Sequence, residues 1–393
     1  LEVYSMSDTC RKLLAALGLV ALLAASRAVA LLPPEAQVQG LYEGEVKDGP
    51  VEFKLEARVV AQGNGTYKVL LRQIFKDRET VRVELIGKTT GDTVTITEDA
   101  DCGFTARYVA GSFRGKVGPG NTAWEIKRVE KKPPTLGKKP PEGAIALLEG
   151  KNLPEMVRAN GAEWHLGDMS QQGCPVWEVP LYIVSAKVPT TWPSPDQLLP
   201  QGWALGKEHR RADVVTGIAE DGSLQVPTAG MNSKRSFEGS FDLHVEFFLP
   251  LMPTAHGQGR ANSGVYLPNG QEIQVLDSFG EPTYLGGGCG GMYAYQDPDT
   301  MDVIESLKGK PECKYTLASL PPLEWQTYDV EYRVDKKDGK YVGKPHVTVY
   351  HNGIKIHDKF TPHQDAQKSH LHFQDHGNPV RFRNIWVLPV GQK

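Results

Sequence analysis

Charge of one sign is what this sequence most clearly lacks. Its 44 basic and 47 acidic residues leave a formal net charge of −3 over 393 residues. So even a balance gives no electrostatic reason to bind nucleic acid or an anionic membrane surface, and both partner classes are set aside. Cysteine is scarce, five in all, and no two stand in a CxxC spacing, which removes the usual ligand pattern of a structural zinc site. Beyond the first thirty residues no apolar run is long enough to span a bilayer, so no membrane span is expected in the mature chain. Helical periodicity is missing as well. With 41 glycines and 28 prolines the chain reads as short strands joined by many turns, and its length suggests two or three domains.

The N-terminus carries an export pattern. Arg11 and Lys12 precede an apolar run from Leu13 to Ala25, and Ala28-Val29-Ala30 supplies the small residues of a cleavage site. Residues 1–30 are therefore expected to be a signal peptide and the mature protein to be periplasmic or extracellular. Cleavage leaves Cys102, Cys174, Cys289 and Cys313, with three conceivable pairings in an oxidising compartment. Cys289 with Cys313 is the favoured pair because both flank one loop-rich stretch; free thiols are the alternative.

Residues 31–129 read as a small antiparallel β domain of accessory role. Glu52 to Val59 alternates polar and apolar residues, and Gly63-Asn64-Gly65 and Gly91-Asp92 are hairpin-type turns. Residues 130–143, with Pro133-Pro134 and Pro140-Pro141 among lysines, read as a semi-stiff solvated linker. The second domain, 144–393, begins with a proline-rich stretch carrying Trp164, Trp177, Trp192 and Trp203, either a functional wall or an apolar filling. Alternation then sharpens at Phe241–Leu249 and Tyr328–Val334, and Asn352-Gly353 is a strong hairpin signal. Strands of this kind without helices indicate a two-sheet β-sandwich.

Chemistry concentrates in two places. In Gln271–Ser278, Glu272 and Gln274 share a strand face, and a one-residue bulge near Leu276 would add Asp277 to it. Two carboxylates so placed can divide acid and base duties, because their mutual repulsion separates their pKa values. The competing reading is a solvated polar face. The second cluster is His372-Phe373-Gln374-Asp375-His376-Gly377-Asn378, where His376 beside a carboxylate could relay protons. A divalent cation stays open, since its ligands would have to come from both clusters. Arg381 and Arg383 could clamp a carbonyl or carboxylate, or pair with Asp375 and Glu272.

Asn262-Ser263-Gly264-Val265-Tyr266-Leu267, Gln271–Ser278, Glu324–Asp329, His351-Asn352-Gly353 and Gln374–Trp386 occur in an order that resembles the 3-keto-disaccharide hydrolase family, over about Ala144 to Leu388. The resemblance implies a concanavalin-like jelly roll, similar in fold to glycoside hydrolase family 16. That family carries Glu-x-Asp-x-x-Glu on a bulged strand; here the offsets hold Glu272, Gln274 and Asp277, a departure that puts ordinary retaining hydrolysis in doubt. It also implies an oligosaccharide or glycoside substrate oxidised at C3. Glu272 or Asp277 would abstract the C2 proton, and His376 or a metal would stabilise the enolate. Gln274 would orient the sugar, with Asn262, Tyr266, Gln374, Asp375, Arg381 and Arg383 completing the binding set. A non-catalytic lectin-like carbohydrate binder is the rival from another class. N-terminal sequencing of the protein recovered from a secreting host should read from Leu31; a chain retaining residues 1–30 would remove the export expectation.

Overall fold

The computed structural model describes residues 34–150, 156–158, 217–226 and 230–391, less 49, 76–77, 92, 97–104, 118–120, 219–220 and 311. The expectations for residues 1–30, for Cys102 and Cys174, and for Trp164, Trp177, Trp192 and Trp203 fall outside the described residues.

Eight antiparallel strands between Gly40 and Val129 follow one another around a closed barrel, the first pairing with the last through Leu41↔Val129 and Tyr42↔Arg128. Closure leaves no unpaired strand edge. The alternation at Glu52–Val59 works as expected on one side: Phe53, Leu55, Ala57 and Val59 point into the barrel, where Tyr42, Tyr67, Phe113 and Trp124 fill the interior. The Asn64-Gly65 turn has positive φ at both residues (55° and 68°), the geometry that a tight hairpin needs. A short helix, Pro34–Val38, plugs one end with Ala36 and Val38, held by Tyr42 Oη donating to Val38 O (2.6 Å).

The rest of the chain forms a β-sandwich. A five-stranded sheet has the order Met156–Arg158, Met231–Ser233, His372–Phe373, Ser263–Tyr266, Glu272–Val275. It faces an eight-stranded sheet centred on Phe241–Phe248, Trp325–Lys337 and Arg381–Pro389. Every second residue of each inner face enters the core. Leu243, Val245, Phe247, Tyr328 and Val330 come from the larger sheet, and Met231, Val265, Ile273, Val275 and Phe373 from the smaller. Phe373 and Phe382 meet edge to face between the sheets, centroids 5.1 Å apart. The expected all-β, jelly-roll-type sandwich preceded by an antiparallel β domain is the fold observed. Among the described residues no helix is long and apolar enough to cross a membrane.

Barrel and sandwich meet along the outer face of the barrel strand Val51–Gly63. Arg58 and Val60 point away from the barrel interior yet are buried. Arg58 donates to Ser319 O (3.1 Å) and Leu317 O (2.7 Å) and lies over the Phe279 ring. Val60 packs with Leu41 and Phe279. Beside them Arg260, fully buried, donates through Nε to Asp277 Oδ2 (2.6 Å), through Nη1 to Met252 O (3.0 Å) and through Nη2 to the barrel's Ala61 O (3.2 Å).

Three expectations change. The 130–143 segment is not a free solvated linker but lies against the outer face of the larger sheet. Thr135 Oγ1 donates to Asp329 Oδ2 (2.6 Å), Trp386 Nε1 donates to Lys138 O (3.3 Å), and Pro134 touches Gly353, where a Cβ would stand 2.4 Å from its ring. Cys289 and Cys313 are both free thiols. Cys289 is committed to the core against Tyr328 Oη (3.1 Å), where burial raises its thiol to about 11. The bulge at Leu276 is absent. The strand pairs regularly to Val275 and stops, and the Asp277 N–H donates to Arg260 O (3.2 Å) instead.

Because Asp277 compensates a buried guanidinium, Asp277→Asn should cost about 3–5 kcal/mol of stability, measured as a lowered denaturation midpoint. An unchanged midpoint would show that Arg260 is balanced by its carbonyl partners alone.

Candidate functional site

The smaller sheet has one apolar and one polar face, as its alternation requires. Antiparallel register aligns residues on the polar face into a rung. Asn232 stands opposite His372, His372 opposite Tyr266, and Tyr266 opposite Glu272. The loop after the Glu272 strand returns alongside it through the Ile273↔Met292 bridge, with Tyr293 N–H donating to Glu272 O (3.1 Å). That register makes Tyr293 the neighbour of Glu272 on the same face.

Glu272 is the carboxylate of this rung and is 6% exposed. Its side chain leans over Gly264 so closely that a Cβ there would stand 2.1 Å from Oε1. The glycine opposite Gln274 leaves the Glu272 carboxyl room to lie in this position. A polarised chain of hydrogen bonds ends on the carboxylate: Gln374 Nε2 donates to Tyr266 Oη (3.1 Å), and Tyr266 Oη donates to Glu272 Oε2 (2.8 Å). Burial pushes the Glu272 carboxyl up to about 7, with the Tyr266 hydroxyl pulling the other way. A group poised there can both take and give a proton near neutrality.

Around it the remaining polar groups are braced. Gln274 Nε2 donates to Gln258 Oε1 (2.8 Å), while the other end of its amide lies 3.2 Å from Glu272 Oε1, a hydrogen bond when Glu272 carries the proton. Gln258 also accepts from Asn262 Nδ2 (2.9 Å) and donates to Gly287 O (2.9 Å), tying the strand to the glycine-rich loop. Asn262 N–H donates to Asn378 Oδ1 (2.7 Å). His372 Nδ1 pairs with Asn232 Oδ1 (2.7 Å), and burial lowers its basicity. On the loop, Tyr284 Oη and Tyr293 Oη lie 2.9 Å apart.

The structure divides the residues singled out by sequence. It brings together Glu272, Gln274, Tyr266, Gln374 and Asn262. It removes Asp277, which is 1% exposed and paired with Arg260, a cation seventeen residues earlier in the chain. Asp375 caps a turn, accepting from Gly377 N–H (2.8 Å), and His376 is exposed on it. Arg381 and Arg383 belong to the other sheet and pair with neither Asp375 nor Glu272. Arg381 Nη2 donates to Asp221 Oδ1 (2.7 Å) and to Ser223 Oγ. Arg383 Nε donates to Glu246 Oε2 (2.7 Å), with its guanidinium 3.9 Å from the Trp325 ring centroid. Among the described residues no group of three or more His, Cys, Asp and Glu side chains is arranged to hold a metal ion. Tyr284, Tyr293, Asn232 and Gln258 were missed. The run Gly286-Gly287-Gly288-Cys289-Gly290-Gly291 was the signal, since so many glycines mark a backbone folded tightly on itself.

Comparison with known proteins bears on this site. Residues 196–388 match the family model of a 3-keto-alpha-glucoside-1,2-lyase-like domain, which spans the Glu272 strand and the Gln374–Trp386 segment. No curated protein matches the chain. A crystal structure from Parabacteroides distasonis, provisionally described as a glycosyl hydrolase, is similar at 24% identity with a TM-score of 0.41, covering 64% of this chain and 85% of that one.

Two outcomes follow from the environment of Glu272. Tyr266→Phe removes the hydrogen bond that favours its charged form, so the Glu272 pKa should rise further above its ordinary value, read by carboxyl NMR titration. Because the folded state holds this proton more tightly than the unfolded chain does, stability should fall as pH rises from about 4.5 through 7. Glu272→Gln should escape that fall and denature later than the wild type at pH 8. Parallel pH–stability curves for the two proteins would contradict the assigned titration.

Proposed function

We propose that this protein, whose residues 196–388 match the family model of a 3-keto-alpha-glucoside-1,2-lyase-like domain, is an exported enzyme that opens a 3-keto glycoside by elimination, with Glu272 as the base. The observation that carries the proposal is that, among the described residues, the polar rung holds a single carboxylate, buried and held near neutrality, with Asp277 withdrawn into an ion pair. Ordinary glycoside hydrolysis uses two carboxyl groups flanking the scissile bond, whereas elimination needs one base acting on an acidified carbon.

A ketone at C3 acidifies the C2 proton. Glu272 takes that proton, and the C2–H electrons form the C2=C3 bond of an enolate whose negative charge rests on the C3 oxygen. On collapse the carbonyl re-forms, a C1=C2 double bond appears, and the C1–O bond breaks. Glu272, now protonated, returns its proton to the departing oxygen. Water adding at C1 with a proton returning to C2 completes net hydrolysis. Tyr266 holds the base in place, with its own hydroxyl oriented by Gln374. Gln274, lying between Glu272 and Gln258, braces the carboxyl.

The test is turnover of a 3-keto glucoside by the mature protein, with and without chelator, followed as aglycone release and as exchange of the C2 proton in deuterium oxide. Glu272→Gln should lower both by about 10²–10⁴-fold, the range removed with a general base, while remaining folded. Saturable binding without exchange or release would replace the enzyme with the lectin-like reading.

A further inference from the structure

We infer that the hydroxyl pair of Tyr284 and Tyr293 binds the C3 oxygen of the substrate and carries the enolate charge, an assignment that rests on the elimination reading above. Elimination at C2 needs a donor aimed at the neighbouring oxygen, and the histidine and arginines of the Gln374–Trp386 segment are elsewhere. His376 is exposed on its turn, and Arg381 and Arg383 pair with carboxylates on the other sheet. Tyr266 spends its proton on Glu272, and His372 Nδ1 is taken by Asn232.

Tyr293 is placed by register. The Ile273↔Met292 bridge and the bond from Tyr293 N–H to Glu272 O make it the next residue along the rung, on the side of the base away from Tyr266. Tyr284 reaches the same point from the start of the loop, its ring crossing that of Tyr293 at 68° with the hydroxyls 2.9 Å apart. Two hydroxyls that close share one proton between them, so the accepting hydroxyl keeps its own O–H free and polarised by the bond it receives. That free O–H is a donor ready for a third oxygen.

The loop holds the pair rigid. Gly287 lies under the Tyr284 ring, where a Cβ would stand 2.7 Å from it, and Gly286 has φ +67° with a would-be Cβ 2.4 Å from Met292 O. Gly287 N–H donates to Tyr284 O (2.8 Å), and Gly290 N–H donates to Gln274 O (2.8 Å). Donors fixed before reaction stabilise developing charge without reorganising. Burial, the Tyr293 hydrogen bond and the Glu272 charge all raise the Tyr284 hydroxyl, keeping it a proton donor at neutral pH. In the reaction no proton leaves the tyrosines: the C2 proton goes to Glu272, and the pair donates a hydrogen bond that strengthens as the C3 oxygen becomes negative.

Tyr284→Phe, Tyr293→Phe and the double variant keep the rings and remove the hydroxyls. With a 3-keto glucoside in deuterium oxide, the double variant should lose about 10²-fold in kcat and in C2 exchange together, the cost of removing an oxyanion donor. KM should move little, and the pH dependence set by Glu272 should stay near neutrality. Each single variant should fall between the wild type and the double, so one that folds poorly leaves the other to carry the test. Unchanged exchange in the double variant, or a loss confined to KM, overturns the assignment while leaving the elimination standing. A wild-type protein that neither exchanges C2 nor releases aglycone overturns the elimination itself.

Discussion

A guanidinium and a carboxylate, both closed off from water, sit where three parts of the molecule meet. Arg260 binds Asp277 at 2.6 Å, reaches the carbonyls of Met252 and Ala255 in its own loop, and donates to Ala61 of the barrel. Neither charge could be buried alone, since an unpaired ion in the interior costs several kcal/mol after relaxation. The pair therefore dictates where the chain goes after Val275. It ends the strand, turns Leu276–Phe279 toward the barrel, and sets the start of the loop that returns beside Glu272. Gly280 completes the docking by passing within contact of Val60 and Leu70, where a Cβ would stand 2.7 Å from Val60. Glu281 is then held by Lys68 Nζ (3.1 Å) and by Gln62.

From that fixed loop the site inherits its geometry. The strand carrying Glu272 is bounded on one side by Ser263–Tyr266 and on the other by the returning loop, so the carboxyl is enclosed on both sides. Enclosure raises its pKa, and the same burial that makes it a useful base makes it a local burden on stability at neutral pH. Among the described residues no group on the rung neutralises it with a full charge. The Glu272 carboxyl meets a phenol, Tyr266, and the amide of Gln274, while the imidazole further along the rung, His372, is made less basic by burial and pairs with Asn232.

The opposite face of the sandwich shows what a different arrangement of similar residues does. There His244 bridges Asp329 (2.8 Å) and Glu246 (3.5 Å), stacks on Trp386, and is held above its ordinary pKa because these carboxylates outweigh its burial. Glu246 is likewise kept at about 2, against its burial, by His244, Asn384, Arg383 and the Gly137 N–H. These charges are satisfied by one another and by the connector lying over them. The register shift between His244 and Glu246 lets both Arg383 and Trp386 face this side. Satisfied charge here anchors the connector; on the other sheet, a nearly unpaired carboxyl is left reactive.

Sequence by itself determined the features that depend on the pleat and on single turns. Alternation at Phe241–Leu249 and Tyr328–Val334 marks core-facing strands because successive side chains point to opposite sides of any strand. Positive φ at Asn352 and Gly353 realises a turn written in two adjacent residues. The shared face of Glu272 and Gln274 is equally local. Tertiary structure decided the rest. Closure of the barrel through Leu41↔Val129 joins residues far apart in the chain. Burial of Arg58 and Val60 on the barrel's outer face appears only when the sandwich covers them. Whether Asp277 joins Glu272 or Arg260, and whether Arg381 and Arg383 reach the site or the far sheet, depends on a competition for partners among distant segments. Alternation specifies which face a side chain takes, but only the folded chain specifies what that face meets.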